Sequence, residues 1–326
     1  MVNKVTVPAM VDAEIQKFVR GISEGYTRQS VGTDATIARR REIAEVVRKP
    51  WRTGGPPMAR THDFELFGIR LRLHCPVDRN GLPLLVYLHG GGWMLFSIDT
   101  HDRLMREYAH RADIAVLGID YSLAPEARFP VALNEINAIV DWLQAKGASE
   151  LGINASRIAI GGDSAGANLA VATSLKRRDS ELEPLAGMLL SYGAFEPDRM
   201  PSYELYSGPD FTLEADEMDA FWQNYVTDPS HLDDPLVAPG RADLRGLPPA
   251  HLTIAECDIL ADSNIAFERA LTKAGVSVES NLVHGATHSF LEAVSVSSLA
   301  NRALNTQSEW LARILDPVKK GQEAAE

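Results

Sequence analysis

Arg157-Ile158-Ala159-Ile160-Gly161-Gly162-Asp163-Ser164-Ala165-Gly166 is the stretch on which the fold of this chain is decided. A short apolar run, Arg157 to Ile160, leads into Gly162-Asp163-Ser164-Ala165-Gly166. A helical pattern with Leu169, Ala170, Ala172 and Leu175 follows. Gly-x-Ser-x-Gly between a strand and a helix makes a sharp, strained turn that needs small neighbours around the serine. Gly161, Gly162, Ala165 and Gly166 supply that room. The turn projects the Ser164 hydroxyl at the start of a helix, as a nucleophile requires. The same motif in an ordinary tight turn would carry no chemistry, and the flanking strand and helix argue against that.

Working outward, Leu84 to Leu88 is a second short apolar run, followed by His89-Gly90-Gly91-Gly92-Trp93. Acyl transfer through a tetrahedral intermediate needs N–H donors where negative charge develops. Glycines let the backbone come close to a bound ester. The best donors are the N–H groups of Gly91, Gly92 and Ala165. A glycine-rich turn could instead hold phosphate, but Gly-x-Gly-x-x-Gly and a Gly-Lys-Ser/Thr ending are both missing. His89 reads as structural, bracing the loop through a hydrogen bond.

Further strands are expected at Phe64 to Phe67, Ile69 to His74, Ile114 to Ile119, Ala186 to Leu190, His251 to Ala255 and Val276 to Val283. Continuous apolar runs suit central parallel strands covered on both faces. Helical patterns fall between them: Thr100 to Arg111, capped by Asp99 or Thr100; Pro130 to Lys146, stopped by Gly147; Ala165 to Arg177; and Asn264 to Ala274. The fold class is therefore α/β, with about eight mostly parallel strands flanked by helices. Two parts lie outside this rhythm. Residues 1–55 carry helical patterns over 9–24 and 34–48, ahead of the breaker-rich Pro50 to Pro57. Residues 195–237 carry another from Leu213 to Val226. Both read as a helical cap over the carboxyl end of the sheet, where α/β sites lie. Surface elaboration is the competing explanation. The core then comprises 56–194 and 238–316, and 317–326 is a polar, frayed tail.

With its two glycine motifs placed, the sequence resembles the hormone-sensitive-lipase-like family of α/β hydrolases, in its bacterial esterase branch, from about residue 60 to 315. Asp120-Tyr121-Ser122-Leu123-Ala124-Pro125-Glu126 looks like a third family signature, which braces the site region; the family usually has arginine at the position of Ser122. The resemblance implies the α/β-hydrolase fold, a serine esterase acting on short- and medium-chain acyl esters, and no cofactor or metal. It also implies a homodimer formed through a sheet edge. The family acid stands in Asp-Pro-Leu, where this chain reads Asp258-Ile259-Leu260. The family His-Gly-Phe reads His288-Ser289-Phe290, so Ser289 adds a side chain near the site.

The residues themselves point to the same partners. The order in such sites is serine, acid, histidine. Of nine histidines, His231, His251, His284 and His288 follow Ser164. His251 falls in a buried strand, His231 in a turn-rich segment, and His284 at a strand end. His288 sits in the loop beyond and fits the base best. For the acid, Glu256 is close to a strand end and Asp262 near a helix start. Asp258 lies in the loop between them. Trp93, Met94, Phe96, Phe195, Phe211 and Trp222 are bulky residues able to line an apolar substrate pocket and limit its depth, though some would be core.

The formal net charge of -12 and the lack of a long basic stripe argue against nucleic acid. Arg39, Arg40 and Arg41, with Arg48 after them, read as a solvated helix face. Asp99, His101 and Asp102 could suggest a metal, but acids at a helix start explain them more simply. Two cysteines, Cys75 and Cys257, make no disulfide framework and suit a cytoplasmic setting. No secretory signal and no membrane span are expected. An amidase or lactonase with the same triad is the alternative. A small-molecule receptor on the same scaffold would have lost the nucleophile or base, and both are retained.

Overall fold

The structure is a computed structural model and describes residues 9–29 and 36–316. The expectations for the first eight residues, for Asp34 and for the tail at 317–326 lie outside the described residues. Two helices come first, α1 (Ala13–Gln29) and α2 (Ile37–Arg52). Eight strands then form one sheet in the order β1-β2-β4-β3-β5-β6-β7-β8. β1 (Arg60–Leu66) and β2 (Ile69–Cys75) are antiparallel at one edge. β3 (Leu82–Leu88), β4 (Ala115–Ile119), β5 (Ile153–Asp163), β6 (Met188–Ser191), β7 (Ala250–Cys257) and β8 (Val278–Thr287) run parallel. Every residue of β3 and β4 is buried, as continuous apolar strands between two helical layers must be.

The helices between strands are α3 (Asp102–Ala112), α4 (Val131–Trp142), α5 (Ala148–Glu150), α6 (Ala165–Asp179) and α9 (Ala261–Lys273), with α10 (Ser298–Ile314) closing the chain. α7 (Pro201–Leu205) and α8 (Ala215–Tyr225) lie in the segment between β6 and β7. Three local expectations are corrected. Neither Asp99 nor Thr100 caps α3: its N-cap is His101, with no side-chain cap bond. Asp99 and Asp102 turn instead to Arg70 and Arg72 of β2. Gly147 does not stop the helix before it. It keeps helical dihedrals, and the chain passes through a π-helical turn, Leu143–Gly147, into α5. The Trp142 ring packs where a side chain at Gly147 would be, so glycine serves close packing there. Pro50 stands inside the last turn of α2, which ends only at Arg52.

α1 is amphipathic, and its buried Ile15, Phe18, Val19 and Ile22 join the same apolar cluster as Tyr87 of β3, Tyr108 of α3 and Trp310 of α10. Phe18 meets Trp51 of α2 edge-on at 4.8 Å. The N-terminal helices therefore share the core of the sheet. Phe18→Ala is expected to lower the unfolding free energy by about 3–5 kcal/mol, the usual cost of deleting a buried aromatic ring. Denaturant titration checks this, and a change below about 1 kcal/mol would place α1 outside the cooperative core.

Candidate active site

Strand register assembles the site. Leu88 at the end of β3 pairs with Gly162 of β5, and Asp163 pairs with Ser191 of β6. The turns that follow β3 and β5 therefore lie side by side. At the other end of the site, Cys257 of β7 pairs with Thr287 of β8, across a register shift after Ala255. The residues immediately beyond that pair are Asp258 and His288.

Ser164 has φ 53° and ψ −119°, in the left-handed half of backbone space that non-glycine residues avoid. The turn is held by packing. The carbonyl of Leu88 lies so close to Gly166 that no side chain fits there. The Ser164 hydroxyl is 2.9 Å from Nε2 of His288, and Nδ1 of His288 is 2.7 Å from Oδ2 of Asp258. The other Asp258 oxygen accepts the Leu260 N–H at 3.0 Å. All three side chains are buried. A carboxylate accepting from Nδ1–H leaves Nε2 as the acceptor facing the serine. Such an arrangement can take a proton from the hydroxyl as it attacks.

Gly91 and Gly92 follow β3 with φ of 110° and 59°. Ala165 opens α6, where an N–H has no intrahelical acceptor. Among the described residues, none of these three N–H groups has a hydrogen-bond acceptor. His89 is buried, faces the Gly90 carbonyl through Nδ1 at 2.7 Å and stacks on Tyr121 at 4.3 Å. Burial, with His101 behind it, pushes its pKa down to about 3. Tyr121 donates to the His89 carbonyl at 2.7 Å, so the Asp120 to Glu126 segment braces this loop. Ser122, at the position where the family usually has arginine, makes local bonds: its N–H and hydroxyl both donate to Glu135.

A sequence profile described as alpha/beta hydrolase fold matches residues 85–292, a span that contains all of these groups. The chain is 40% identical over 239 residues to the carboxylesterase NlhH of Mycobacterium tuberculosis, covering 70% of this chain and 74% of that one. This chain belongs to the hormone-sensitive-lipase-like family of α/β hydrolases. Solved structures of esterases superpose over most of the chain. A hyperthermophilic esterase from the archaeon Pyrobaculum calidifontis gives a TM-score of 0.87 at 28% identity, covering 94% of this chain and 99% of its own. The thermostable carboxylesterase EstE1, from a metagenomic library, gives 0.83 at 30%, covering 87% and 99%.

Within this family fold, the remaining candidates separate. Phe195 is fully buried and its ring stacks on Phe267 of α9 at 4.0 Å, so it is packed into the core and not free to line a pocket. Trp93 stacks on Tyr225 at 4.3 Å and meets Trp222 at 4.6 Å, joining the turn after β3 to α8. Met94 is buried, while Phe96 is partly exposed beneath the Arg48 guanidinium, 4.8 Å from its ring. Phe211 meets Tyr206 edge-on at 5.6 Å. Ser289 has φ 59° and directly follows the base. His284 is exposed and bonds Glu256 at 2.9 Å, which separates both from the site. His231 is likewise exposed, near Phe129, and His251 is buried in β7. Among the described residues no cluster of ligands suits a metal ion, and no helix is long and apolar enough to cross a membrane.

Several residues near the site carry no sequence motif. Phe221 of α8 lies where a side chain on Gly92 would be. Tyr192 presents its edge to His288 at 5.0 Å, and the Thr212 hydroxyl donates to the His288 carbonyl. The basic run is also corrected. Arg41 donates to the carbonyls of Met94 and Ala124, at 2.8 Å each, and pairs with Glu126. Arg48 is buried against Glu292 at 2.9 Å. This face of α2 is docked on the loops after β3 and β4, while Arg39, paired with Glu42, and Arg40, 3.9 Å from Glu217, keep exposed side chains.

Proposed function

We propose that this chain is a carboxylesterase-type serine hydrolase acting on short- to medium-chain acyl esters. It works through an acyl-enzyme on Ser164, with His288 as base, Asp258 as acid, and Gly91, Gly92 and Ala165 as oxyanion donors. The observation that carries this is the hydrogen-bonded line from Ser164 through His288 to Asp258, on a positive-φ turn beside three unengaged N–H groups. His288 takes the Ser164 proton as the hydroxyl adds to the ester carbonyl, and the three N–H groups hold the resulting oxyanion. Protonated His288 then gives its proton to the departing alcohol. Water, activated by the same imidazole, cleaves the acyl-enzyme. The named carboxylesterase relative supports the reaction class.

α2 and residues 195–237 serve as the cap in this proposal, while α1 packs into the core of the sheet. Arg41 on Met94, Phe221 over Gly92 and Thr212 on His288 tie these segments to the loops of the site. The buried free thiols of Cys75 and Cys257 support a reducing, cytoplasmic setting. The homodimer implied by the family would use a sheet edge, and β8 is an edge strand that exposes Leu282.

Phe221 is packed against Gly92, with the Trp93–Trp222 contact beside it, so bulky aromatic rings crowd the oxyanion loop. Acetyl to hexanoyl esters should therefore be cleaved with higher kcat/KM than dodecanoyl or longer ones. A chain-length series of nitrophenyl esters measures this, and a maximum at dodecanoyl would contradict a short pocket.

A further inference from the structure

Beneath the oxyanion loop lies a buried group that the reaction as written does not use. Asp163, the residue before the nucleophile, accepts from the Tyr87 hydroxyl at 2.7 Å and from the Gly90 N–H at 3.1 Å. Nε2 of His101 stands 3.3 Å from Oδ1 and 3.4 Å from Oδ2 of the same carboxylate. On the far side of the ring, Nδ1 of His101 is 2.9 Å from the Thr100 hydroxyl. That hydroxyl has one proton, directed to the Ser97 carbonyl at 2.7 Å, and it also accepts the Ser97 N–H at 3.1 Å. Its remaining lone pair can only accept, and so can the carboxylate. With that proton kept on the Ser97 carbonyl, both ring nitrogens of His101 donate, which makes the ring an imidazolium. His89, 5.7 Å away ring to ring, is the neutral member of the pair of histidines.

We propose that His101 is a positioning residue for ester hydrolysis: its doubly protonated ring and the Asp163 carboxylate form a buried ion pair that fixes the oxyanion loop to the nucleophile turn. The proposal rests on the esterase reading above. The logic is one of placement. Asp163 precedes Ser164 by one residue and Gly90 precedes Gly91 by one, so a single carboxylate locks the attacking oxygen and its oxyanion donors into one frame. Oxyanion donors act only within a few tenths of an ångström of their place. An uncharged partner at 101 would leave the buried carboxylate short of a counter-charge, and the Gly90 contact would loosen.

The groups facing His101 agree. Tyr87 from β3 and Asp163 from β5 lie on one side, and His89 of the loop stands beside it. Glu292, after β8, favours its charge and Arg48 of α2 opposes it, but those two are paired with each other. Burial works against charge on His101, and Asp163 outweighs it, so the ring titrates above the ordinary histidine value. Burial works against charge on Asp163 too, and His101 with Tyr87 outweighs it, holding the carboxyl below its ordinary value. A raised histidine pKa means the pair is complete below the ordinary histidine value and is lost as pH rises through the raised one.

The test has three arms. Histidine-labelled protein examined by 15N NMR from neutral pH upward should show one ring protonated on both nitrogens above the pH where free histidine is neutral. That signal should be missing from His101→Gln. The variant should lose about ten- to a hundred-fold in kcat, somewhat less than removing an oxyanion donor, with KM changing less. Its affinity for a trifluoromethyl ketone, which forms a tetrahedral oxyanion on Ser164, should fall in step with kcat/KM. Finally, kcat of the parent should decline on the alkaline side, and the variant should lack that limb. A neutral His101 ring in the parent overturns the proposal even if the variant does not fold. So does a folded variant with parental kcat and parental inhibitor affinity. A parent without ester hydrolysis would instead overturn the esterase reading, leaving the NMR result to judge the ion pair alone.

Discussion

Ser164→Ala is expected to lower kcat on a short-chain ester by about a million-fold, as removal of the nucleophile does in another serine hydrolase. The change takes away one oxygen whose hydrogen bond is to His288. The backbone at this position, φ 53°, costs a serine and an alanine the same, so the turn has no new reason to move. Leu88 and Gly166 remain packed against each other, and the oxyanion donors stay in place. Thermal unfolding should therefore be nearly unchanged. A serine-reactive phosphonate should add one mass increment to the parent and none to the variant. Parental activity in folded Ser164→Ala protein would remove Ser164 from the mechanism altogether.

Where the chemistry fixes the local sequence, the site was legible. An exposed nucleophile on a strained turn needs glycine and alanine around it, and backbone oxyanion donors need glycines, so both motifs announce themselves. The sheet was legible for a related reason: β3 and β4 are buried on both faces, and only unbroken apolar runs survive there. Long-range packing left no such trace. Phe221 reads as one apolar position in a helix, and only the tertiary fold brings it over Gly92. Arg41 and Arg48 look the same on a solvated helix face as on one docked against carbonyls and a buried glutamate. Phe195 shows the converse failure, since an aromatic residue in a cap segment is as easily core as pocket.

His101 illustrates the limit most clearly. Between Asp99 and Asp102 it looks like part of a helix start, and the acids were expected to serve that helix. Asp99 is instead engaged by Arg70 and Arg72 of β2, while Asp102 stands in the first turn of α3 and reaches both β2 and its own helix. Asp102 accepts from Arg72 at 3.2 Å, meets His74 at 3.1 Å and accepts from Arg106 at 2.8 Å. Burial opposes its charge, but these partners prevail and bring its pKa to about 2. That leaves His101 free to turn inward to Asp163. Nothing in the order of residues along the chain records which neighbour in space a histidine will choose.

Asp258→Asn should lose at least about a hundred-fold in kcat, against about ten-thousand-fold for the equivalent change in one well-known triad, with KM changing less. The register of β7 and β8 gives the reason. Cys257 and Thr287 are paired, so the next residue on each strand, Asp258 and His288, meet at 2.7 Å. The carboxylate accepts on both oxygens, from His288 Nδ1–H and from the Leu260 N–H. An amide must present a donor to one of them. If it faces His288, the ring shifts its proton to Nε2 and can no longer accept from Ser164. If it faces Leu260, two donors confront each other in a buried turn and the loop is displaced. Asp262 is the control. It stands in the first turn of α9, and its carboxylate also accepts the Ser202 N–H at the start of α7 at 2.9 Å. An asparagine oxygen can accept the same bond. Asp262→Asn should therefore stay within roughly ten-fold in kcat and show a small loss of thermal stability, as for a weakened helix cap. Steady-state kinetics on both variants, with circular dichroism to confirm folding, decides the matter. If Asp262→Asn were the more damaged of two folded variants, the acid would have to be moved to Asp262, and the hydrogen bond between Asp258 and His288 would be structural.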